Sequence, residues 1–147
     1  MSAVNEPSLR FPVLRFNDAH IRKFKTQHEL NRTTQRYLDQ GELNRRGYLI
    51  DSSGSRFPIT RVRKIRRSWH PAFWFAPSPA IVVEVSVGKP TQLSLDEIKA
   101  TIVDLVCRNH WYRQGGESEA AFRNALDNCQ SIAEVMENIS FYGDWKG

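Results

Sequence analysis

Ile81, Val83, Val85 and Val87 alternate with Val82, Glu84 and Ser86, the clearest pattern in the chain. A period of two sends successive side chains to opposite faces, so this stretch predicts a strand. Leu9, Phe11 and Val13, then Leu14 and Phe16, nearly alternate and predict another extended segment. Pro12 has no N–H to give a ladder and would push that segment to a sheet edge or out of the sheet. Tyr48–Ile50, then Asp51-Ser-Ser-Gly54, then Arg56–Thr60 read as a hairpin in which Gly54 supplies a positive φ. Between Thr60 and Trp69, Val62, Ile65 and Trp69 have helical spacing, which would make a short basic amphipathic helix. Pro58 and Pro71 bracket that stretch and its Val, Ile and Thr suit a sheet, so a strand with a bulge near Thr60–Val62 is preferred.

Three capping boxes mark helix starts, because a hydroxyl and a carboxylate three residues apart satisfy N–H groups that a helix leaves open. Thr26-Gln-His-Glu29 predicts a helix with Leu30, Thr34, Tyr37 and Leu38 on one face, stopped by Gly41. Ser94-Leu-Asp-Glu97 opens a helix with Ile98, Ile102, Leu105 and Val106 inward, and Gly115-Gly116 breaks the chain beyond it. Ser118 starts a helix bearing Ala121, Phe122, Ala125, Leu126 and Cys129 on one side, and Ser131-Ile-Ala-Glu134 leads to Val135, Met136 and Ile139. The order predicts an α+β fold: an N-terminal helix, an antiparallel sheet of about three to four strands, then three C-terminal helices packed on one face. At 147 residues the chain reads as one domain, with residues 1–8 a loose arm.

Charge changes the picture more than bulk composition does. From Arg45 to Val87 there are eight Lys/Arg against Asp51 and Glu84, so this stretch carries the excess behind the net +5. Six of the eight lie in Arg56–Arg67, and Trp69, Phe73, Trp74 and Phe75 follow at once. Arginine beside aromatics is favoured at binding surfaces, since both offer wide contact and directional bonds. The plain alternative has arginines on a solvent face and the aromatics in the core. A nucleic-acid surface would use the same arginines on phosphates and the aromatics as stacking platforms, though no aromatic–glycine signature of an RNA-recognition sheet occurs.

Catalytic and metal patterns do not form. His28-Glu29 begins like a zinc-protease helix, but Arg32 stands where the second histidine is required. Cys107 and His110, with Cys129 on the next helix, could form part of a zinc site or a thiol–base pair; the plain reading makes both cysteines small buried hydrophobes and His110 a helix-end residue. Two cysteines without a scaffold pattern suit a reducing, cytoplasmic compartment. The N-terminus has no basic end followed by an apolar run, so no signal peptide is expected, and no stretch is long enough to span a bilayer.

A wider order remains: a helix ending near Gly41, then Gly47-Tyr-Leu-Ile-Asp51-Ser-Ser-Gly54, a β segment, Pro71-Ala-Phe73-Trp74-Phe75, a valine-rich strand, Ser94-Leu-Asp-Glu97-Ile and Ser131-Ile-Ala-Glu134-Val. Over roughly residues 26–140 this order resembles small bacterial immunity proteins of polymorphic and contact-dependent toxin systems. The resemblance implies a non-enzymatic protein that neutralises a cognate toxin by occluding its active site or substrate path, with no cofactor or metal. Immunity proteins against nucleases are often acidic, and this basic chain departs from that. The expected contact residues are Arg61, Arg63, Arg66, Arg67 and Trp69, with Trp111, Tyr112 and Arg113 as a second group beside the Gly-Gly turn. The alternative is a nucleic-acid-binding domain using Arg56–Arg67. Oligomeric state is not legible.

Overall fold

The computed structural model describes residues 9–18, 20–34, 47–67 and 80–143. The side chains of Thr34, Arg66, Arg67 and Ala80 stand outside that description. The elements in order are β1 (Val13–Phe16), β2 (His20–Phe24), α1 (Gln27–Leu30), β3 (Arg32–Thr34), β4 (Tyr48–Ile50), β5 (Ser55–Arg67), β6 (Ala80–Val87), β7 (Thr91–Gln92), α2 (Leu95–Arg108), a 3-10 helix (Trp111–Gly115), α3 (Glu119–Asp127), α4 (Ile132–Asn138) and β8 (Phe141–Gly143).

The strands form one eight-stranded antiparallel sheet in the order β3-β6-β5-β4-β1-β2-β8, with β7 also on β5. Its scaffold is β5, whose 13 residues pair with β4 on one edge and with β6 and β7 on the other. β6 and β7 are nearly one strand interrupted at Gly88–Pro90, since Gly88 N–H still donates to the Pro58 carbonyl at 2.8 Å. The β5–β6 register shifts between Ile59 and Arg61 and again between Lys64 and Arg66. Such bulges bend a strand and increase its twist, and the sheet is curled.

Apolar residues cover both faces. Leu14, Phe16, Ile21 and Ile50 meet the helices in a core with Ile98, Ile102, Trp111, Phe122 and Val135. On the other face Val13, Phe24, Leu30, Leu49 and Phe57 form a second cluster, joined by Leu9, Phe11, Ile59, Val85 and Val87. Val85 and Val87 of β6 share that cluster with Val13 of β1, three places away in the strand order, as a curled sheet allows.

This architecture corrects the expected fold class. The sheet is twice the expected size, and among the described residues no long helix precedes it. Thr26 does cap a helix, its hydroxyl accepting from Glu29 N–H at 3.2 Å, but α1 ends after a single turn. Arg32, Thr33 and Thr34 then pair with Val82, Ile81 and Ala80 along the edge of β6. Two β-branched threonines fit that edge better than a helix interior. Tyr37, Leu38 and Gly41 lie outside the described residues. Pro12 does not push β1 outward either: it precedes the strand, so no ladder N–H is lost, and β1 runs between β2 and β4. The hairpin, the strand at Thr60–Arg67 with its bulge, and the helices begun by Ser94, Ser118 and Ser131 are present. The arm at residues 1–8 and the aromatics Phe73, Trp74 and Phe75 lie outside the described residues.

The β4–β5 turn is built on Asp51, buried to 1% exposure. Its Oδ1 accepts from the N–H groups of Ser53 (3.0 Å) and Ser55 (3.1 Å) and from the Ser53 hydroxyl (2.6 Å). Its Oδ2 accepts from Arg10 N–H at 3.1 Å. One carboxylate thus shapes the turn and ties the segment before β1 to it. Gly54 closes the turn at φ +83°, where an added Cβ would lie 2.8 Å from Ile132 Cδ1.

Candidate interaction surface

Antiparallel pairing puts directly opposed residues on one face, and this sorts β5. Val62 opposes Val85, a member of the second core, whereas Arg61 opposes Ser86 and Arg63 opposes Glu84 on the other side. Arg61, Arg63 and Lys64 are exposed. Ile65, at the second bulge, is the one exposed large hydrophobic side chain among the described residues, at 48%. Ile65 has no partner on β6 and stands two residues from Arg63, so it continues the outward series of Arg61 and Arg63. Arg63 Nη2 meets Glu84 Oε2 at 3.2 Å, with both side chains about half exposed (52% and 56%). A pair so wet contributes little to stability; it does orient the guanidinium across the strand pair.

The other proposed contacts divide. Arg66 and Arg67 continue β5 opposite Val82 and Ile81, and Trp69 lies outside the described residues. Trp111 and Tyr112 are core, at 1% and 9% exposure among the apolar residues of α2, α3 and α4. Their burial leaves them little surface to offer a partner in this fold. Arg113 is exposed, but its 3-10 helix packs on β8, with β4, β1 and β2 between β8 and β5 in the strand order. The structure does not join the two groups into one surface.

A second feature was not singled out from the sequence. Tyr48 stacks on Phe16 with ring centroids 5.0 Å apart and planes 3° from parallel. The Arg56 guanidinium lies 4.0 Å from the Tyr48 ring centroid. These side chains come from β1, β4 and β5, neighbours in the sheet, and project toward the helix-covered face. Tyr48 and Arg56 line a cleft of about 490 Å³ with Asn17, Asp18, Asp104 and Arg108. Burial raises the Tyr48 pKa, against the opposing pull of Arg56, so the phenol keeps its proton at neutral pH. A tyrosine two residues from a buried strand position was the only sequence signal for this stack.

The thiol chemistry weighed from sequence is not assembled. His110 Nδ1 lies 3.1 Å from the Tyr112 hydroxyl, and burial raises the Cys107 thiol pKa, the wrong direction for a nucleophile. Cys129 is buried, its Sγ 3.5 Å from the Ala125 carbonyl and 3.4 Å from Asn138 Nδ2. Among the described residues no group of three or more His, Cys, Asp or Glu side chains could hold a metal ion, and no helix is long and apolar enough to cross a membrane. Comparison with protein families, curated proteins and solved structures finds no match.

Proposed function

We propose that this chain is a non-enzymatic binding protein of the bacterial cytoplasm, an immunity protein that neutralises a cognate toxin by covering its active site or substrate path. The observation that supports this reading is the outer face of β5. There Arg61 and Arg63 are exposed beside Ile65 on a strand paired with β6, and Lys64, opposite Val83, is exposed as well. Cationic groups around an exposed apolar residue on a rigid element are what an acidic protein surface would meet. Trp111 and Tyr112 are withdrawn from the site because they are core. Two free cysteines fit a reducing compartment.

The test starts from the gene next door. A toxin gene beside this one, ending in a variable C-terminal domain, supplies the partner for titration calorimetry. Double substitution of Arg61 and Arg63 by Ala is expected to cost about 2 kcal/mol or more of affinity if they are central anchors. Unchanged affinity removes this surface. Retention of RNA or DNA at low salt, falling steeply as salt rises, would favour the nucleic-acid reading instead.

A further inference from the structure

The cleft between the sheet and α2 contains an arginine that the fold orients but does not use. Arg56 sits 4.0 Å from the Tyr48 ring centroid, and its guanidinium has no hydrogen-bond or ion-pair partner among the described residues. Stacking on a ring leaves the in-plane N–H donors of a guanidinium free. The Tyr48 ring is held from its other neighbour by Phe16, at 5.0 Å and nearly parallel, and its hydroxyl likewise has no hydrogen-bond partner among the described residues. The second cation of the cleft is occupied, since Arg108 Nη2 meets Asp104 Oδ2 at 3.5 Å. The Thr101 hydroxyl is occupied too, donating to the Glu97 carbonyl at 2.9 Å. The donors of the cleft left without a partner among the described residues therefore include those of Arg56 and Tyr48.

We propose that this cleft is an anchor site for a single carboxylate, an Asp or Glu side chain of a protein partner, gripped by the Arg56 guanidinium and the Tyr48 hydroxyl. A planar fork of donors matches the two oxygens of a carboxylate, and charge assistance makes such bonds strong. Asp18 and Asp104 line the same cleft, with Asp104 already paired to Arg108. A run of phosphates would meet both carboxylates, so a single anionic group at Arg56 is favoured. Arg56 is itself exposed, so the bond to a carboxylate forms in competition with water and draws on charge assistance. The source of the carboxylate rests on the binding-protein reading above; the chemistry of the cleft does not.

The experiment is an NMR titration of the full chain with acetyl-Gly-Glu-Gly-amide, reading the Arg56 Nε–H and Tyr48 ring signals. Saturable shifts are expected with this peptide and not with acetyl-Gly-Gln-Gly-amide. They should vanish in Arg56→Gln, weaken several-fold in Tyr48→Phe, which keeps the ring and loses the hydroxyl, and persist in Arg123→Gln. Equal response to the Gln peptide, survival of the response in Arg56→Gln, or a stronger response to a thymidine oligonucleotide overturns the proposal. The toxin is not needed for this measurement. A silent cleft in a protein whose partner affinity still depends on Arg61 and Arg63 removes the anchor alone, and a responsive cleft in a protein with no toxin partner removes the immunity reading alone.

Discussion

Arg15 donates through its Nε to the Nε2 of His20 at 3.1 Å, with both side chains almost wholly removed from solvent. The imidazole must therefore be neutral at Nε2 to accept, and the Asn17 amide lies 3.5 Å from the same nitrogen. Burial, and then the charges of Arg15 and Arg22, lower the His20 pKa from 6.5 to about 3. In the unfolded chain this histidine binds a proton near pH 6.5; in the folded protein it does so only near pH 3. The unfolded state thus holds the extra proton between those limits, and stability falls as pH falls through that window. At pH 5 the loss is about 2 kcal/mol relative to pH 7. Urea unfolding of the protein and of His20→Gln at both pH values checks this: the variant should show a flatter dependence.

Asp51 accepts four hydrogen bonds in a buried turn, so Asp51→Ala strands three backbone N–H groups at once. The expected cost is about 3 kcal/mol. Asp51→Asn, which keeps an acceptor oxygen, should cost less. Chemical denaturation of the two variants distinguishes them, and equal midpoints would show that the carboxylate has no special part in the turn.

Trp111 and Arg113 are two residues apart and should behave oppositely. Trp111→Ala opens the helix-side core and is expected to cost about 3–5 kcal/mol. Arg113→Ala, on an exposed side chain, should stay within about 0.5 kcal/mol of the parent. Thermal unfolding of both variants is sufficient, and a mild Trp111→Ala would contradict its place in the core.

Cys107 should alkylate slowly. Its thiol pKa is raised, first by burial, so less thiolate is present near pH 8 than on an unperturbed cysteine. Iodoacetamide labelling followed by mass spectrometry should show Cys107 lagging behind a free thiol standard. Cys129, inside the core, should label only on denaturation. Fast labelling of Cys107 at neutral pH would reopen the thiol chemistry.

What was legible from sequence was local. Ser94, Ser118 and Ser131 start helices because each hydroxyl reaches an N–H within its own turn. Gly54 marks its turn because few other residues tolerate that φ. The bulge in β5 followed from proline brackets and β-branched residues within one stretch. The rest depended on partners distant in sequence. Val13, Leu14, Arg15 and Phe16 are all buried, so β1 shows no polar face and its central place could not be read from alternation. The helix expected after Thr26 gave way to pairing with β6, about fifty residues further on. Trp111 and Tyr112 looked available because they precede a Gly-Gly turn, yet both belong to the helix-side core. Asp51, Arg15 and His20 are ordinary polar letters until the fold encloses them. On β5, Arg61 and Arg63 were read as exposed and are exposed; the Arg56–Tyr48 cleft needed three strands in register before it existed.

The outer edge of β8 has a side chain where another strand would go. The Gln114 amide donates to the Gly143 carbonyl and accepts from the Gly143 N–H at 3.3 Å, so one residue imitates both bonds of a ladder rung. An incoming strand, whether from a second copy or from an unrelated chain, must first evict it. Gln114 thus acts as a doorstop against edge-to-edge recruitment. Replacing it should show itself as greater self-association on storage at high concentration, with little change in the folded monomer.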